Sequence, residues 1–287
     1  MKLKVKKAFS LIELSIVLIL IGIIIAGITQ STRIIAAYKL QIARSATNSS
    51  PVSSIKSLVL WLETVSEKSF DDNETEESSA VSTWYKINPT SNGNQILTQT
   101  GSERPTYVSK CINLLPCLRF DGTDDTFPFN GNILVGTDYT IFVLEQRRSS
   151  GSRMFMGGSS LTLNTNLQLG YRNDTTYIFD QLSNDTSSSV AAYTKPIPRI
   201  HSYVKSSSDG KFHYVNGILE ASTDSGSGNP TDHLVSFPNA AIGSYFAGGE
   251  FFNGDIAEII IFNSVLKTKD RLDVEKYLGK KWSVSVD

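Results

Sequence analysis

The sequence predicts a mainly β protein: one long N-terminal α-helix, then an antiparallel β-sandwich or jelly roll, closed by a short C-terminal helix. Three observations point there. Residues 14–32 form a run of 19 without a charged side chain; as a helix rising about 1.5 Å per residue, such a run spans the ~30 Å hydrocarbon core of a bilayer. From residue 56 onward, short apolar and aromatic stretches alternate with clusters of Gly, Asn, Asp and Ser, the spacing of a sandwich or jelly roll. The run KTKDRLDVEKYLGKKW (267–282) reads as one closing helix, with Leu272, Leu278 and Trp282 as its apolar contacts.

The composition narrows the function classes. Lysine and arginine number 27 against 28 acids, so there is no basic surface of the kind nucleic acid requires. A hydrophobic content of 40% supports a real core and argues against bulk disorder. Charge is unevenly placed: residues 1–7 hold four lysines and no acid.

The N-terminus, KKAFSLIELSIVLILIGIIIAG (6–27), admits three readings. A secretory signal accounts for the basic start, but its apolar stretch is 7–15 residues long and lacks a carboxylate at its front. A plain anchor accounts for length and for lysines kept on the cytoplasmic side. Neither accounts for Glu13, because a carboxylate near a bilayer is costly unless paired. The third reading rests on Lys6, Lys7, Ala8, Phe9, Ser10, Leu11, Ile12, Glu13 and Leu14. These resemble the start of type IV prepilins and type II secretion pseudopilins, with Ala8 where that family most often has Gly. The resemblance implies cleavage between Ala8 and Phe9, N-methylation of Phe9, and a role for Glu13 in assembly, paired with the new N-terminal amine of a neighbouring subunit. Gly22 and Gly27 within the run are either tolerated or mark close packing. The helix is expected to continue amphipathically through Ile34, Ile35, Tyr38, Leu40 and Ile42 and to stop near Thr47, before Asn48, Ser49, Ser50 and Pro51.

The domain organisation expected is a leader at 1–8, a transmembrane and assembly helix at 9–50, a linker at 51–55 and a jelly roll at 56–287. Within the last, SLVLWLE (57–63), CLRF (117–120), YTIFVLEQ (139–146), RMFMGG (153–158), LQLGYR (167–172), RIHSYVK (199–205), KFHYVNGILE (211–220), AAIGSY (240–245) and AEIIIFN (257–263) read as strands. YVNG (214–217) is a tight hairpin signal, since Asn-Gly takes positive φ readily. Four pieces in order, LVLWLE, RPTYV…CLRFDGTDD, FHYVNG and FNGDIAEIIIFN…YLGKKW, resemble a laminin-G-like, concanavalin A-type jelly roll of bacterial surface proteins. That resemblance implies two facing antiparallel sheets, with ligand-binding loops at a rim or on the concave face. By length and polarity those loops are 86–104, 121–137, 146–152, 172–190 and 221–236.

The remaining motifs carry specific expectations. Cys111 and Cys117 are the only cysteines and lie in the part that would face an oxidising compartment, so they are expected to form a disulfide. Asp121, Asp124 and Asp125 offer a Ca2+ site, since calcium takes six to eight oxygens; a strand-ending turn without metal is the alternative. The acidic stretch 71–79 reads as a solvated loop rather than a cation site. Asp255 and Glu258 look like a glycosidase pair, but a period of two sends their side chains to opposite faces of a strand. His201, His213 and His233 read as surface residues, and no nucleophile elbow or P-loop is present. Sequons at Asn73, Asn173 and Asn184 are discounted in a bacterial chain. The sequence therefore predicts no enzyme. It predicts a minor type IV pilin or pilin-like subunit displaying a jelly roll for adhesion to a glycan or protein, with a type II secretion pseudopilin or a membrane-tethered glycanase as alternatives. Expected partners are other pilin or pseudopilin subunits, prepilin peptidase and the inner membrane, with the pilus, cell surface or periplasm as destination.

Overall fold

The structure, a computed structural model, describes residues 10–88, 96–182, 184–222, 229, 231–245 and 249–287. It is mainly β, with every sheet antiparallel, one long N-terminal helix and one short C-terminal helix. Helix α1 covers Leu11–Asn48. The first strands are β1 (Leu58–Glu63), β2 (Thr83–Tyr85), β3 (Ile96–Thr98), β4 (Thr106–Ile112), β5 (Leu115–Asp121), β6 (Phe127–Phe129), β7 (Tyr139–Arg147), β8 (Arg153–Gly158) and β9 (Gln168–Asn173). They are followed by β10 (Thr176–Asp180), β11 (Asp185–Ser189), β12 (Pro198–Ser206), β13 (Gly210–Val215), β14 (Ile218–Ser222), β15 (Ala240–Ile242), β16 (Ser244–Tyr245), β17 (Glu250–Phe251) and β18 (Asn253–Phe262), and then helix α2 (Thr268–Trp282).

Two sheets make the sandwich. The larger runs β14-β13-β12-β7-β18-β5-β4, and β1 pairs with the second half of β18, where β5 has left off. The smaller runs β11-β10-β9-β8-β15-β6. Between them lies an aromatic and aliphatic core containing Trp84, Phe127, Phe155, Tyr203, Phe252, Ile256, Ile259 and Ile261. The opposite face of the larger sheet is also covered: Trp61, Phe142, Ile260 and Phe262 pack against Val274, Leu278 and Trp282 of α2 and Ala43 of α1. Burial on both faces explains the continuous apolar run in β18, which has no polar face to show.

The turns and helices follow local rules. Asn216 and Gly217 take φ of 53° and 87°, the positive values expected of the Asn-Gly hairpin between β13 and β14. Helix α2 packs through Val274, Tyr277, Leu278 and Trp282 at helical spacing; of the three contacts expected, Leu272 is only partly buried and stands outside that cluster. The acidic stretch 71–79 is not simply solvated. Glu74 is buried and accepts from Ser82 N–H at 3.0 Å and Ser82 Oγ at 2.5 Å, while Glu77 accepts from Ser109 N–H at 2.8 Å.

Helix α1 divides in two. Its first half buries nothing: Leu11, Leu18 and Ile23 are 86%, 61% and 64% exposed. That half is apolar enough to cross a membrane or to act as a signal sequence. Its last turns are tied to the sandwich by Lys39 Nζ to Asn113 Oδ1 (2.5 Å) and Arg44 Nε to the Val65 carbonyl (2.8 Å).

Candidate functional site

A groove opens on the outer face of the smaller sheet, and strand parity explains its floor. In β6, Phe127 and Phe129 turn into the core and leave Pro128 outward. In β15, Ala240 and Ile242 turn inward and leave Ala241 outward. Register places Ala241 opposite both Pro128 and Gly157, so three small residues lie side by side across β6, β15 and β8. Gly157 has no room for more: a Cβ there would meet the Leu167 and Ser244 carbonyls and the Tyr245 Cα, each at 2.9 Å. Strand β16 lies against that glycine, and its Ser244 lines the groove. The resulting cavity is about 510 Å³, and Gln99, Glu103, Thr126, Asn239 and Ser244 bring polar groups to it. Gln99 Nε2 donates to Thr126 Oγ1 at 2.8 Å. The Ser244 side chain is fully buried, and among the described residues its hydroxyl has no hydrogen-bond partner. An orphaned buried hydroxyl is costly unless something binds it.

The acidic turn borders this groove, since Thr126 lines it and Asp121, Asp124 and Asp125 precede it. Asp121 Oδ1 accepts from Thr123 N–H (2.7 Å) and more weakly from Asp124 N–H (3.3 Å), and Asp125 Oδ2 accepts from Asp121 N–H (2.8 Å). One oxygen from each of the three carboxylates lies within 4.8 Å of the others. Burial, opposed by the Asp121 amide but reinforced by the charges of Asp121 and Asp124, pushes the Asp125 carboxyl up to about 6. The set fits the first contacts of a hard cation, with water completing the shell.

Beyond the turn, Asp255 anchors two arginines. Its buried carboxylate accepts from Arg119 Nε (2.7 Å) and Gln146 Nε2 (3.1 Å) and pairs with Arg148 at 3.5 Å. Cys111 and Cys117 are joined in a disulfide, with Cα atoms 5.8 Å apart.

Asp255 and Glu258 do not point to opposite faces. A bulge between Ile256 and Glu258 in the pairing of β18 with β7 inserts Ala257, and both carboxylates end on the helix-covered face. They remain apart chemically. Glu258 accepts from Trp61 Nε1 (2.9 Å), Tyr277 OH (2.8 Å) and Trp282 Nε1 (2.8 Å). Lys281 Nζ then joins Glu258 (2.9 Å), its cross-strand neighbour Glu63 (2.8 Å) and Thr47 of α1 (2.7 Å). Burial raises the Glu63 carboxyl above its ordinary value; Lys281 opposes that rise and the Glu258 charge adds to it. Burial works against the Lys281 charge, yet Glu258 and Glu63 hold its amine above the ordinary value.

The histidines are the largest departure from expectation. His201 and His213 are buried between the sheets, not exposed. His201 Nε2 lies 3.0 Å from Glu145 Oε1, which also accepts from Tyr171 OH at 2.7 Å, and His201 Nδ1 lies 3.0 Å from His213 Nε2. Burial lowers both histidines and favours the neutral rings. His233 is partly exposed and lies 3.0 Å from Asp138 Oδ1. At the N-terminus, Ala8 and Phe9 lie outside the described residues. Glu13 is described, and it closes a capping box: its carboxylate accepts from Ser10 N–H (2.8 Å) while Ser10 Oγ accepts from Glu13 N–H (3.1 Å). The S-x-x-E spacing is the signal for that second role.

No family model matches the chain, and no curated protein matches it. Solved structures do. The chain is similar to a Trypanosoma rangeli sialidase in complex with 2,3-difluoro-KDN, with a TM-score of 0.54 and 11% identity over 88% of this chain and 39% of that one. A second structure of Trypanosoma rangeli sialidase gives 0.51 and 12% over the same shares. Domain 4 of AbnA, an extracellular arabinanase from Geobacillus stearothermophilus, in complex with arabinotriose, gives 0.50 and 13% over 76% of this chain and 98% of that one. The chain thus spans about two fifths of the length of the sialidases it matches. At these identities the likeness is one of fold, a jelly-roll sandwich. It nevertheless corrects the expectation of a chain that is no enzyme, since proteins sharing this fold include sialidases.

Proposed function

We propose that the chain is a pilin-like subunit, a minor type IV pilin, that presents a glycan-binding jelly roll on an assembly helix. One observation carries the reading: a sandwich similar to an arabinotriose-bound domain is fastened to the end of a helix whose apolar first half contacts none of it. A helix that buries nothing against its own domain is built to bury elsewhere, in a bilayer or among other helices. The motif from Lys6 to Leu14 supports the second destination, with Glu13 paired across subunits. The bulk of roughly 230 residues supports a place at or near a filament tip rather than along a shaft. Glycan binding is assigned to the groove over Pro128 and Ala241, and calcium to Asp121, Asp124 and Asp125.

The test is N-terminal sequence and mass from cells with and without prepilin peptidase. A mature chain beginning at Phe9 only when the peptidase is present is expected. An uncut chain, or a cut beyond the apolar run, sinks the assembly reading. For calcium, the melting temperature is expected to rise when CaCl2 replaces EGTA, and to stop responding in Asp121→Asn/Asp125→Asn. An unchanged melting temperature removes calcium from the reading.

A further inference from the structure

We infer that the groove on the smaller sheet selects neutral oligosaccharides and rejects carboxylated sugars, a refinement that rests on the glycan-binding reading above. The inference comes from what lines the cavity. Among the described residues, those lining it include one charged side chain, the exposed Glu103, and no lysine, arginine or histidine. The acidic turn at its border adds Asp124, held by Ser102 Oγ at 2.8 Å, and Asp125. With no calcium on the turn, a sugar carboxylate entering this groove would meet like charge and no compensating cation.

Arg104, which follows Glu103, is not among the lining residues and turns its Nε onto the Gly101 carbonyl at 2.9 Å; Arg119 and Arg148, beyond the acidic turn, are committed elsewhere. They lie in a separate cavity of about 340 Å³ beside Glu77, Asp121 and Asp125. Both guanidinium groups are drawn onto the buried Asp255 carboxylate, Arg119 by two contacts at 2.7 and 3.3 Å. The groove offers instead what a neutral sugar needs. Glu103 is an acceptor for sugar hydroxyls, Gln99 and Asn239 carry amides that both donate and accept, and the orphaned Ser244 hydroxyl can do either. Pro128 and Ala241 give a flat apolar floor for a ring face. The volume falls within the ~300–1,000 Å³ of small-ligand sites.

The test uses the full chain in detergent micelles with EGTA present to keep calcium off the turn, titrated with neutral and carboxylated partners: lactose against 3′-sialyllactose, and galactotriose against trigalacturonate, with arabinotriose as a further neutral probe. Neutral sugars are expected to bind roughly tenfold or more tightly than their acidic partners. Glu103→Lys is expected to reverse the preference; it is suited to the purpose because Glu103 is exposed and the fold uses its backbone carbonyl, which accepts from Thr126 N–H. Ser244→Ala is expected to weaken neutral binding while the melting temperature holds or rises, since the change removes an unsatisfied buried hydroxyl. Equal or tighter binding of the acidic sugars to the unaltered chain overturns the inference while leaving glycan binding intact. Acidic binding that Arg148→Ala abolishes overturns it too, by moving the site to the arginine cavity. Failure of every probe overturns the glycan-binding reading itself, and the inference with it.

Discussion

Lys281 is the residue whose loss the structure makes most costly. Its ammonium lies between two buried carboxylates and a hydroxyl of α1, with no solvent contact at the side chain. Lys281→Met leaves Glu63 and Glu258 facing each other across β1 and β18 without a cation. Breaking one member out of a buried ionic cluster costs about 3–5 kcal/mol, and urea unfolding should show it; Glu63→Gln in the same background should restore part. Asp125 predicts a pH dependence. Its folded value, about 6, stands above the ordinary 3.8, so between those values the folded chain holds a proton that the unfolded chain has released. Stability from this group is therefore full below about pH 4 and is lost as pH rises through 6. Asp125→Asn should flatten that part of a stability–pH profile, and an unchanged slope would assign the proton to another group. The capping role of Glu13 was missed, although Ser10 three residues before it is the signal. Asp255 and Glu258 were misread because one bulged residue reverses the parity of a strand, and nothing in NGDIAE announces a bulge. His201 and His213 were misread because the charge and ring partners that bury them, Glu145 and Tyr171, come from β7 and β9.

At the scale of elements, the hairpin ending in Cys111 and beginning again before Cys117 is closed by a disulfide spanning six residues of sequence. A loop that short gives about 2 kcal/mol by the chain-entropy relation. Cys111→Ser/Cys117→Ser should therefore lower the melting temperature by roughly 4–8 °C, read by calorimetry. A fall of less than 1 °C would show that β4 and β5 hold their register without the crosslink. The strands whose apolar runs are continuous or aromatic, β1, β7, β8, β12 and β18, were readable from sequence because burial on one or both faces leaves its mark. β6 and β11, FPF and DTSSS, were not: one is three residues with a central proline, the other is an edge of serines. The groove was illegible for a related reason. Its floor is Pro128 beside Ala241, residues 113 apart that only the pairing of β6 with β15 brings together.

The whole molecule is two bodies of opposite solvent preference joined at a short, polar seam. The charge-free run made the first body visible in sequence; the seam was hidden, because its members, Lys39, Arg44, Thr47 and Lys281, look like ordinary surface residues until α1 is laid beside α2. That seam fixes where the chain can be divided. Removing residues 1–33 takes away the exposed apolar half of α1 and none of the hydrogen bonds from Lys39, Arg44 or Lys281. Such a chain should be soluble without detergent. Removing residues 1–50 takes away Ala43, the Thr47 hydroxyl under Lys281 and both basic side chains that hold α1 down. Loss of one buried charge-assisted bond and one buried alanine contact, with two weaker bonds, comes to about 2–4 kcal/mol. The longer truncation should then melt roughly 5–10 °C below the shorter one, by the scaling for a domain of this size. Equal melting temperatures would mean that the end of α1 lies on the sandwich without stabilising it, and that the jelly roll could swing freely on the helix. A clear gap would mean that the last turns of α1 belong to the sandwich, so that the orientation of the groove is set by the direction of the helix.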